Sequence, residues 1–112
     1  MILLKDSSVN LHDTHPAIWH AVAVAGRIWA EWGVNCVLTS VRDGVHPGGA
    51  RPSFHPSGRA VDIRTWGLPL NGRRQCVDAL RATLGPDYDV IYERPGQTGE
   101  HVHVQHDPQE TP

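Results

Sequence analysis

The sequence predicts an α+β fold in which a small antiparallel sheet carries helices packed on one of its faces. Apolar residues recur with a helical period between residues 14 and 33, and a second helical pattern covers residues 70–84. The short apolar segments at residues 88–93 and 101–105 follow one another with only a turn between them, which is typical of antiparallel strands. Helices and sequential strands in this order favour an α+β layout.

The first helix is predicted to begin at Asp13 or Thr14, either of which can act as the N-cap, with Pro16 in its first turn. Gly33 follows the helical pattern and suits the position after the C-cap. The apolar positions fall on one face of this helix and are Ile18, Val22, Ala25, Trp29 and Trp32. We therefore expect this face to pack against the core.

The rest of the chain is predicted to consist of short strands, loops and the second helix. Residues 34–39 and 60–65 read as strands. Residues 42–57 are rich in glycine and proline and are predicted to form a loop. The two cysteines, Cys36 and Cys76, are expected to be buried thiols, one on a strand and one on a helix.

Size and composition indicate a single domain over residues 1–112, with its core at about 14–106 and a frayed tail at 107–112. The net charge of −2 gives no electrostatic reason to expect nucleic acid or an anionic membrane as a partner. The apolar run between Met1 and Asp6 is too short for a signal peptide or a membrane span. We expect a monomer that is made in the cytoplasm without a signal peptide.

Possible metal ligands occur in two segments that lie far apart in the chain. These segments read Ser53-Phe-His55-Pro-Ser-Gly58-Arg-Ala60-Val-Asp62 and His101-Val-His103. Two imidazoles and a carboxylate, with a fourth position open for water, are the ligands of a hydrolytic zinc centre, whereas a zinc finger has closely spaced ligand pairs. Alternation along a strand puts His101 and His103 on one face. Either one of them binds metal with the other behind it, or both reach into one cleft.

Together the two segments resemble the motif of the zinc D-Ala-D-Ala peptidases. The residues that carry the resemblance are Ser53-x-His55-x-x-Gly58-x-Ala60-x-Asp62, followed by His101-x-His103. That family shares its fold with the amino-terminal domain of hedgehog proteins and with phage L-alanyl-D-glutamate endolysins. The resemblance covers residues 34–105 and implies a hedgehog-like or DD-peptidase-like form of the α+β fold.

The resemblance also implies roles for individual residues. His55, Asp62 and His103 would bind one Zn²⁺ ion per chain. His101 would lie behind these ligands, placed to stabilise a developing negative charge or to steer a proton. The ion would lower the pKa of its bound water to near neutrality and polarise the scissile carbonyl.

A general base is needed to take the proton of that water and deliver it to the leaving amine. Glu93 ends a predicted strand that resembles the base-bearing strand of the family, and we expect it to be the base. The turn that follows, residues 94–100, is longer than in hedgehog-like proteins. The competing candidate, Glu100, is adjacent to His101 but on the opposite face of the strand. Alternatively, Glu100 is a solvated carboxylate in the turn.

The segment Thr39-Ser40-Val-Arg42 resembles the family's Ser-Gly-Tyr-Arg segment without its glycine and tyrosine. The family's arginine contacts a substrate carboxylate or the tetrahedral intermediate, so the resemblance gives Arg42 a role in substrate binding and catalysis. The alternative is a surface loop arginine. Ser53 is expected either to hydrogen-bond the substrate or to hold its own loop.

The resemblance implies a zinc metallopeptidase that hydrolyses peptidoglycan stem peptides, as a D-Ala-D-Ala carboxypeptidase or as an endopeptidase. A small domain without a signal peptide fits a phage-type endolysin that reaches the cell wall after holin-mediated release or as part of a virion. The alternative is a non-catalytic, zinc-bearing binding or structural module of the same fold, as in hedgehog proteins. A candidate base beside a full set of ligands favours the enzyme.

Overall fold

The computed structural model describes residues 1–41 and 58–108, so the predicted loop 42–57 and residues 109–112 lie outside the described residues. Within these ranges the chain forms five strands and two helices. In chain order they are β1 Ile2–Leu4, α1 Pro16–Glu31, β2 Cys36–Ser40, β3 Ala60–Arg64, α2 Arg73–Leu84, β4 Tyr88–Glu93 and β5 His101–His106. The predicted α+β class is confirmed, and every predicted helix and strand is present.

The strands form one sheet in the order β1-β2-β3-β5-β4. The pairs β2–β3, β3–β5 and β5–β4 are antiparallel, as predicted. No sequence pattern predicts β1, which pairs parallel to β2 with Ile2 opposite Cys36. The sheet is therefore mixed, and the prediction of a purely antiparallel sheet is wrong at this edge. A parallel pair needs a crossover connection, and α1 supplies it. All three residues of β1 are exposed, so the strand lacks the buried–exposed alternation that identifies a strand in a sequence.

The amino-terminal end of α1 is capped by a histidine. Nδ1 of His15 accepts a hydrogen bond from the backbone N–H of Ala17 at 3.1 Å. The prediction of Asp13 or Thr14 as the N-cap is wrong. Asp13 has φ 54°, whereas an N-cap has extended backbone, and the hydroxyl of Thr14 donates to the Leu11 carbonyl instead.

The carboxyl-terminal end of α1 follows the prediction. Gly33 adopts φ 71°, its N–H donates to the Ala30 carbonyl, and the N–H of Val34 donates to the Trp29 carbonyl. This is the Schellman arrangement, which satisfies carbonyls at the end of a helix. The predicted apolar face is buried at Ile18, Val22, Ala25 and Trp29, and Trp32 is half-buried.

One face of the sheet packs on both helices. The buried side chains that β3 and β5 contribute to this helix-covered face are Val61, Ile63, Val102 and Val104. They belong to one core cluster together with Trp29 of α1 and Leu80 of α2, and the two helices contact each other. The predicted packing of helices on one side of the sheet is confirmed. Cys36 on β2 and Cys76 on α2 are buried thiols, as expected.

The second helix begins later than the predicted residue 70. Leu70 is 78% exposed, and the N–H of Gly72 donates to the Pro69 carbonyl in a turn that precedes Arg73. Apolar residues on one side of α2 are buried, namely Cys76, Val77, Leu80 and Leu84. In the part of the chain that the structure describes, neither helix combines the length and apolarity that crossing a lipid bilayer requires.

Candidate functional site

The face of the sheet opposite the helices carries the motif residues that the structure describes. Asp62 on β3 pairs with His103 on β5, because these residues are opposite one another in the antiparallel register. One row further along, His101 is flanked by Arg64 of β3 on one side and by Glu93 of β4 on the other. Side chains two residues apart on a strand share a face, so these five residues form one polar face.

A bulge in β2 adds a serine to the polar face. Leu38 and Ser40 are two residues apart, but they pair with adjacent residues of β3, and Ser40 lies opposite Asp62. Thr39 is the extra residue, and its hydroxyl donates to the Asp62 carbonyl at 3.3 Å. Leu38 and Val41 are both in the core cluster, although they are three residues apart. The bulge thus reverses the direction of alternate side chains at the point where β2 reaches the site.

His103 is held by hydrogen bonds at both ring nitrogens. Nδ1 contacts Oδ1 of Asp62 at 2.8 Å, and Nε2 contacts Oε1 of Gln105 at 2.8 Å. The amide of Gln105 is oriented by its N–H donation to Asp89 at 3.0 Å, so its oxygen faces the imidazole. Both partner atoms are acceptors, so the protonated form of the ring can donate to both of them. Burial lowers the pKa of His103, but the two hydrogen bonds and the carboxylate charges of Asp62 and Glu93 outweigh it and raise this pKa above its ordinary value.

His101 is oriented by the turn that precedes it. Its Nδ1 donates to the Gly99 carbonyl at 2.8 Å, since a carbonyl oxygen can only accept. The neutral ring therefore has its lone pair at Nε2, which lies 3.8 Å from Oδ1 of Asp62 and 3.5 Å from Oε1 of Glu93. His101 thus presents a basic nitrogen between two carboxylates, in a position to accept or return a proton.

Glu93 lies at the edge of this cluster. It is the last residue of β4, and its side chain is 41% exposed. Arg94 follows with φ 53°, so the chain turns away from the strand immediately after Glu93. The carboxylate stays within 3.5 Å of His101 despite the length of the turn from residue 94 to residue 100. Glu93 is therefore linked to Asp62 through His101, whose Nε2 lies within 3.8 Å of both carboxylates.

Glu100 belongs to a different environment. Its side chain is 2% exposed and receives hydrogen bonds from the Thr65 hydroxyl, from the Gly96 N–H at 2.8 Å and from Arg73 at 3.1 Å. Burial raises the pKa of Glu100, but these hydrogen bonds and the Arg73 charge together lower it below its usual range. The interpretation of Glu100 as a solvated turn carboxylate is wrong. It anchors the β4–β5 turn on the side of β5 opposite His101.

The Asp62 and His103 atoms fit a shared metal ion. Two donors on a tetrahedral zinc, each at about 2.0–2.1 Å from the ion, lie roughly 3.3 Å apart. Oδ1 and Nδ1 lie 2.8 Å apart, so a small movement of the two side chains would give the spacing that zinc requires. Residues 1–41 and 58–108 contain no group of three His, Cys, Asp or Glu side chains that could hold a metal, so an ion here needs a further ligand. His55, the ligand expected from the motif, lies outside the described residues, as do Arg42 and Ser53.

The structure explains why position 58 of the motif is a glycine. Gly58 adopts φ 75°, and a Cβ atom at this position would lie 2.4 Å from the Asp13 carbonyl oxygen. Its own carbonyl accepts a hydrogen bond from the His15 N–H at 2.8 Å. Only glycine combines this conformation with so close an approach. This contact joins the motif to the start of α1.

Three polar residues that orient or flank the two histidines have no role predicted from the sequence. Gln105 and Asp89 orient His103, and Arg64 flanks His101. Strand alternation from His101 and His103 already places Gln105 on their face. The contributions of Asp89 and Arg64 depend on the register between strands, which the sequence does not specify.

Comparison with known proteins adds no family assignment. No protein-family model matches the chain, and no curated protein sequence matches it. Any function for the chain therefore depends on the side chains of the polar face and on the resemblance of its two motif segments.

Proposed function

We propose that this protein is a zinc-dependent peptidase that hydrolyses peptidoglycan stem peptides. The observation that carries the proposal is the convergence of Asp62, His101, His103 and Glu93 from three strands on one face of the sheet. Two carboxylates and two imidazoles within a few ångströms are the groups that metal-assisted hydrolysis needs. The substrate class rests on the resemblance of the motif segments to the D-Ala-D-Ala peptidases.

In this proposal Asp62 and His103 bind the ion together with His55. When bound, zinc lowers the pKa of a water molecule to near 7 and polarises the carbonyl of the substrate. His103 must give up its Nδ1 proton to act as a ligand, since only the neutral ring has a lone pair there. Gln105 then retains the Nε2–H bond and fixes the orientation of the ring, as partners of metal-bound histidines do.

Glu93 is the general base of the proposed reaction. Its exposed carboxylate takes a proton from the attacking water and passes it to the leaving amine. His101 accompanies it, because Nε2 lies 3.5 Å from the Glu93 carboxylate and faces the same space. A protonated His101 stabilises the negative charge that develops on the substrate carbonyl oxygen. The Gly99 carbonyl keeps this ring in position during the transfer.

The biological setting is also part of the proposal. The resemblance supports a phage-type lytic enzyme that is made in the cytoplasm and acts on the cell wall after release or from a virion. The bond that it cuts is either the terminal D-Ala-D-Ala bond or a bond within the stem peptide. We propose that one chain, with one Zn²⁺ ion, is sufficient for this reaction.

The first test is to load the protein with zinc, measure the metal content, and incubate it with purified peptidoglycan. Mass spectrometry of the soluble products distinguishes released alanine from separated stem peptides. The Asp62→Asn variant is the matched control, since it keeps the size of the side chain but weakens the ligand. We expect wild-type product and none from the variant. Stoichiometric zinc without product from several wall types would support the non-catalytic, zinc-bearing module instead.

A further inference from the structure

Arg64 is a basic residue on the polar face that the proposed chemistry does not use. It is the last residue of β3, it shares a face with Asp62, and it lies opposite His101 in the β3–β5 register. Its backbone is fixed, because the Arg64 carbonyl accepts a hydrogen bond from the Trp29 indole at 3.2 Å. The side chain therefore starts from a rigid position beside the cluster.

The guanidinium of Arg64 is placed by an aromatic ring. Its central carbon lies 4.4 Å from the centroid of Trp66, which is two residues further along and 55% exposed. Such stacking uses the flat face of the guanidinium and leaves its N–H edges available. Trp66 thus holds the guanidinium plane of Arg64 at the edge of the polar face.

The N–H groups of Arg64 have no protein partner in the part of the chain that the structure describes. Its Nε is enclosed without a hydrogen bond, and no ion pair there involves this side chain. Other arginines are engaged: Arg73 donates to Glu100, and Arg81 donates to the Val90 carbonyl. Since no ion pair among the described residues holds its terminal N–H groups, the guanidinium has donors left for a ligand at the edge of the site.

We propose that Arg64, supported by Trp66, binds a carboxylate of the peptide substrate. This inference rests on the proposed peptidase function and specifies the substrate as an anionic peptide. The carboxylates of Asp62 and Glu93 repel an anionic peptide, and the positive charge of Arg64 beside them opposes that repulsion. The planar fork of an arginine matches the two oxygens of a carboxylate. The carboxylate is either the carboxyl terminus of the peptide or a free side-chain carboxyl within it.

The test uses a synthetic stem peptide of the sequence L-alanyl-D-glutamyl-L-lysyl-D-alanyl-D-alanine in three forms. One form is unmodified, one has its terminal carboxyl converted to an amide, and one has its free glutamyl carboxyl converted to an amide. Binding is measured by titration calorimetry on the metal-free protein, and hydrolysis is measured separately on the zinc-loaded protein. The binding measurement does not depend on turnover.

We expect the Arg64→Met variant to bind the unmodified peptide about 10- to 100-fold more weakly than the wild type. One of the two amide peptides should bind the wild type equally weakly, and the variant should not distinguish it from the unmodified form. That peptide identifies which carboxyl Arg64 holds. Arg64→Lys should recover part of the affinity, because it keeps the charge without the fork. Arg74→Met is the matched control: Arg74 also stacks on an aromatic ring, at 5.3 Å from Tyr92, but lies on α2.

Equal binding of all three peptides by the wild type, or no measurable binding of any of them, would overturn the inference. An equal loss of affinity for all peptides in Arg64→Met would overturn it too. Equal rates of hydrolysis for all three peptides would contradict this role of Arg64 and leave the peptidase proposal intact. Binding that depends on Arg64 without any hydrolysis would support this role of Arg64 and contradict the peptidase proposal.

Discussion

The two faces of β3 and β5 differ in the kind of contact that holds their side chains. On the helix-covered face, Val61 and Ile63 of β3 are fully buried in a cluster of similar apolar side chains. On the polar face, Asp62 and His103 are held by directional hydrogen bonds to particular atoms, including the one between them. Burial energy is spread over many contacts, whereas the polar contacts are few and directional. Substitutions on one face should therefore change stability, and substitutions on the other should change chemistry.

The largest expected effect is on the polar face. Glu93→Gln removes the proposed base while keeping the size of the side chain. We expect the rate of peptide hydrolysis to fall by about 10²- to 10⁴-fold. Zinc content and the melting temperature should remain close to those of the wild type, because the Glu93 side chain is 41% exposed. Steady-state kinetics, metal analysis and thermal unfolding check these three statements.

The control for this prediction is the other glutamate. Glu100→Gln leaves Arg73 beside a neutral amide in a buried position, so this variant should lose stability. Its turnover, measured well below its melting temperature, should exceed that of Glu93→Gln. A variant of Glu93 that retains full activity, together with a folded but inactive Glu100 variant, would exchange the roles of the two residues.

The comparison can be sharpened with one residue type on the two faces. Ile63 is fully buried on the helix-covered face, whereas Ile91 is half-buried on the polar face opposite His103. Ile63→Ala should lower the free energy of unfolding by about 2–5 kcal/mol, because it leaves a cavity in the core. Ile91→Ala should lower it by roughly 1 kcal/mol. Urea denaturation measures both, and equal losses would mean that the polar face is packed as densely as the core.

The smallest expected effect concerns a histidine at the rim of the helix-covered face. The ring of His106 lies 5.3 Å from that of His15 and 5.0 Å from that of Tyr88. Burial, together with the nearby His15 and Arg59, lowers the pKa of His106 below its ordinary value of 6.5. The unfolded chain therefore binds a proton more readily than the folded protein as the pH falls through about 6.5. Stability from this group is present above that pH and is lost below it.

His106→Phe tests this statement, because it keeps an aromatic ring without a titratable nitrogen. The free energy of unfolding of the wild type, relative to that of the variant, should decrease between pH 8 and pH 5.5. His103 titrates with the opposite sign, since its pKa is raised. It is present in both proteins, so its contribution cancels in the difference. A difference that does not change with pH would mean that His106 titrates alike in the folded and unfolded chain.

Much of the helix-covered face can be predicted from the sequence. The helical period from Ile18 to Trp29 and the glycine after α1 are local signals, and the structure follows them. The polar face is predictable only in part. Alternation gives the shared face of His101 and His103, but the proximity of Asp62 to His103 was inferred from the resemblance alone.

The parts that could not be predicted depend on contacts between distant segments. Glu100 looks like a surface residue until Arg73 and Thr65 are brought next to it by the fold. His15 replaces better capping residues because the chain before it is shaped by the contact with Gly58. The parallel pairing of β1 with β2 depends on α1, which connects the two strands and places the start of β2 beside the start of β1. The roles of His55, Arg42 and Ser53 stay predictions.

The bulge at Thr39 has a consequence for how this sheet can be re-engineered. Deleting that single residue would restore regular pairing between β2 and β3 and keep the directions of Ser40 and Val41, whereas regular pairing with Thr39 retained would exchange them. A hydroxyl would then enter the hydrocarbon interior, and an isopropyl group would take its place next to Asp62. The bulge acts as a one-residue shift in the strand register, so a graft of this site that keeps Thr39 has to keep the bulge as well as the side chains.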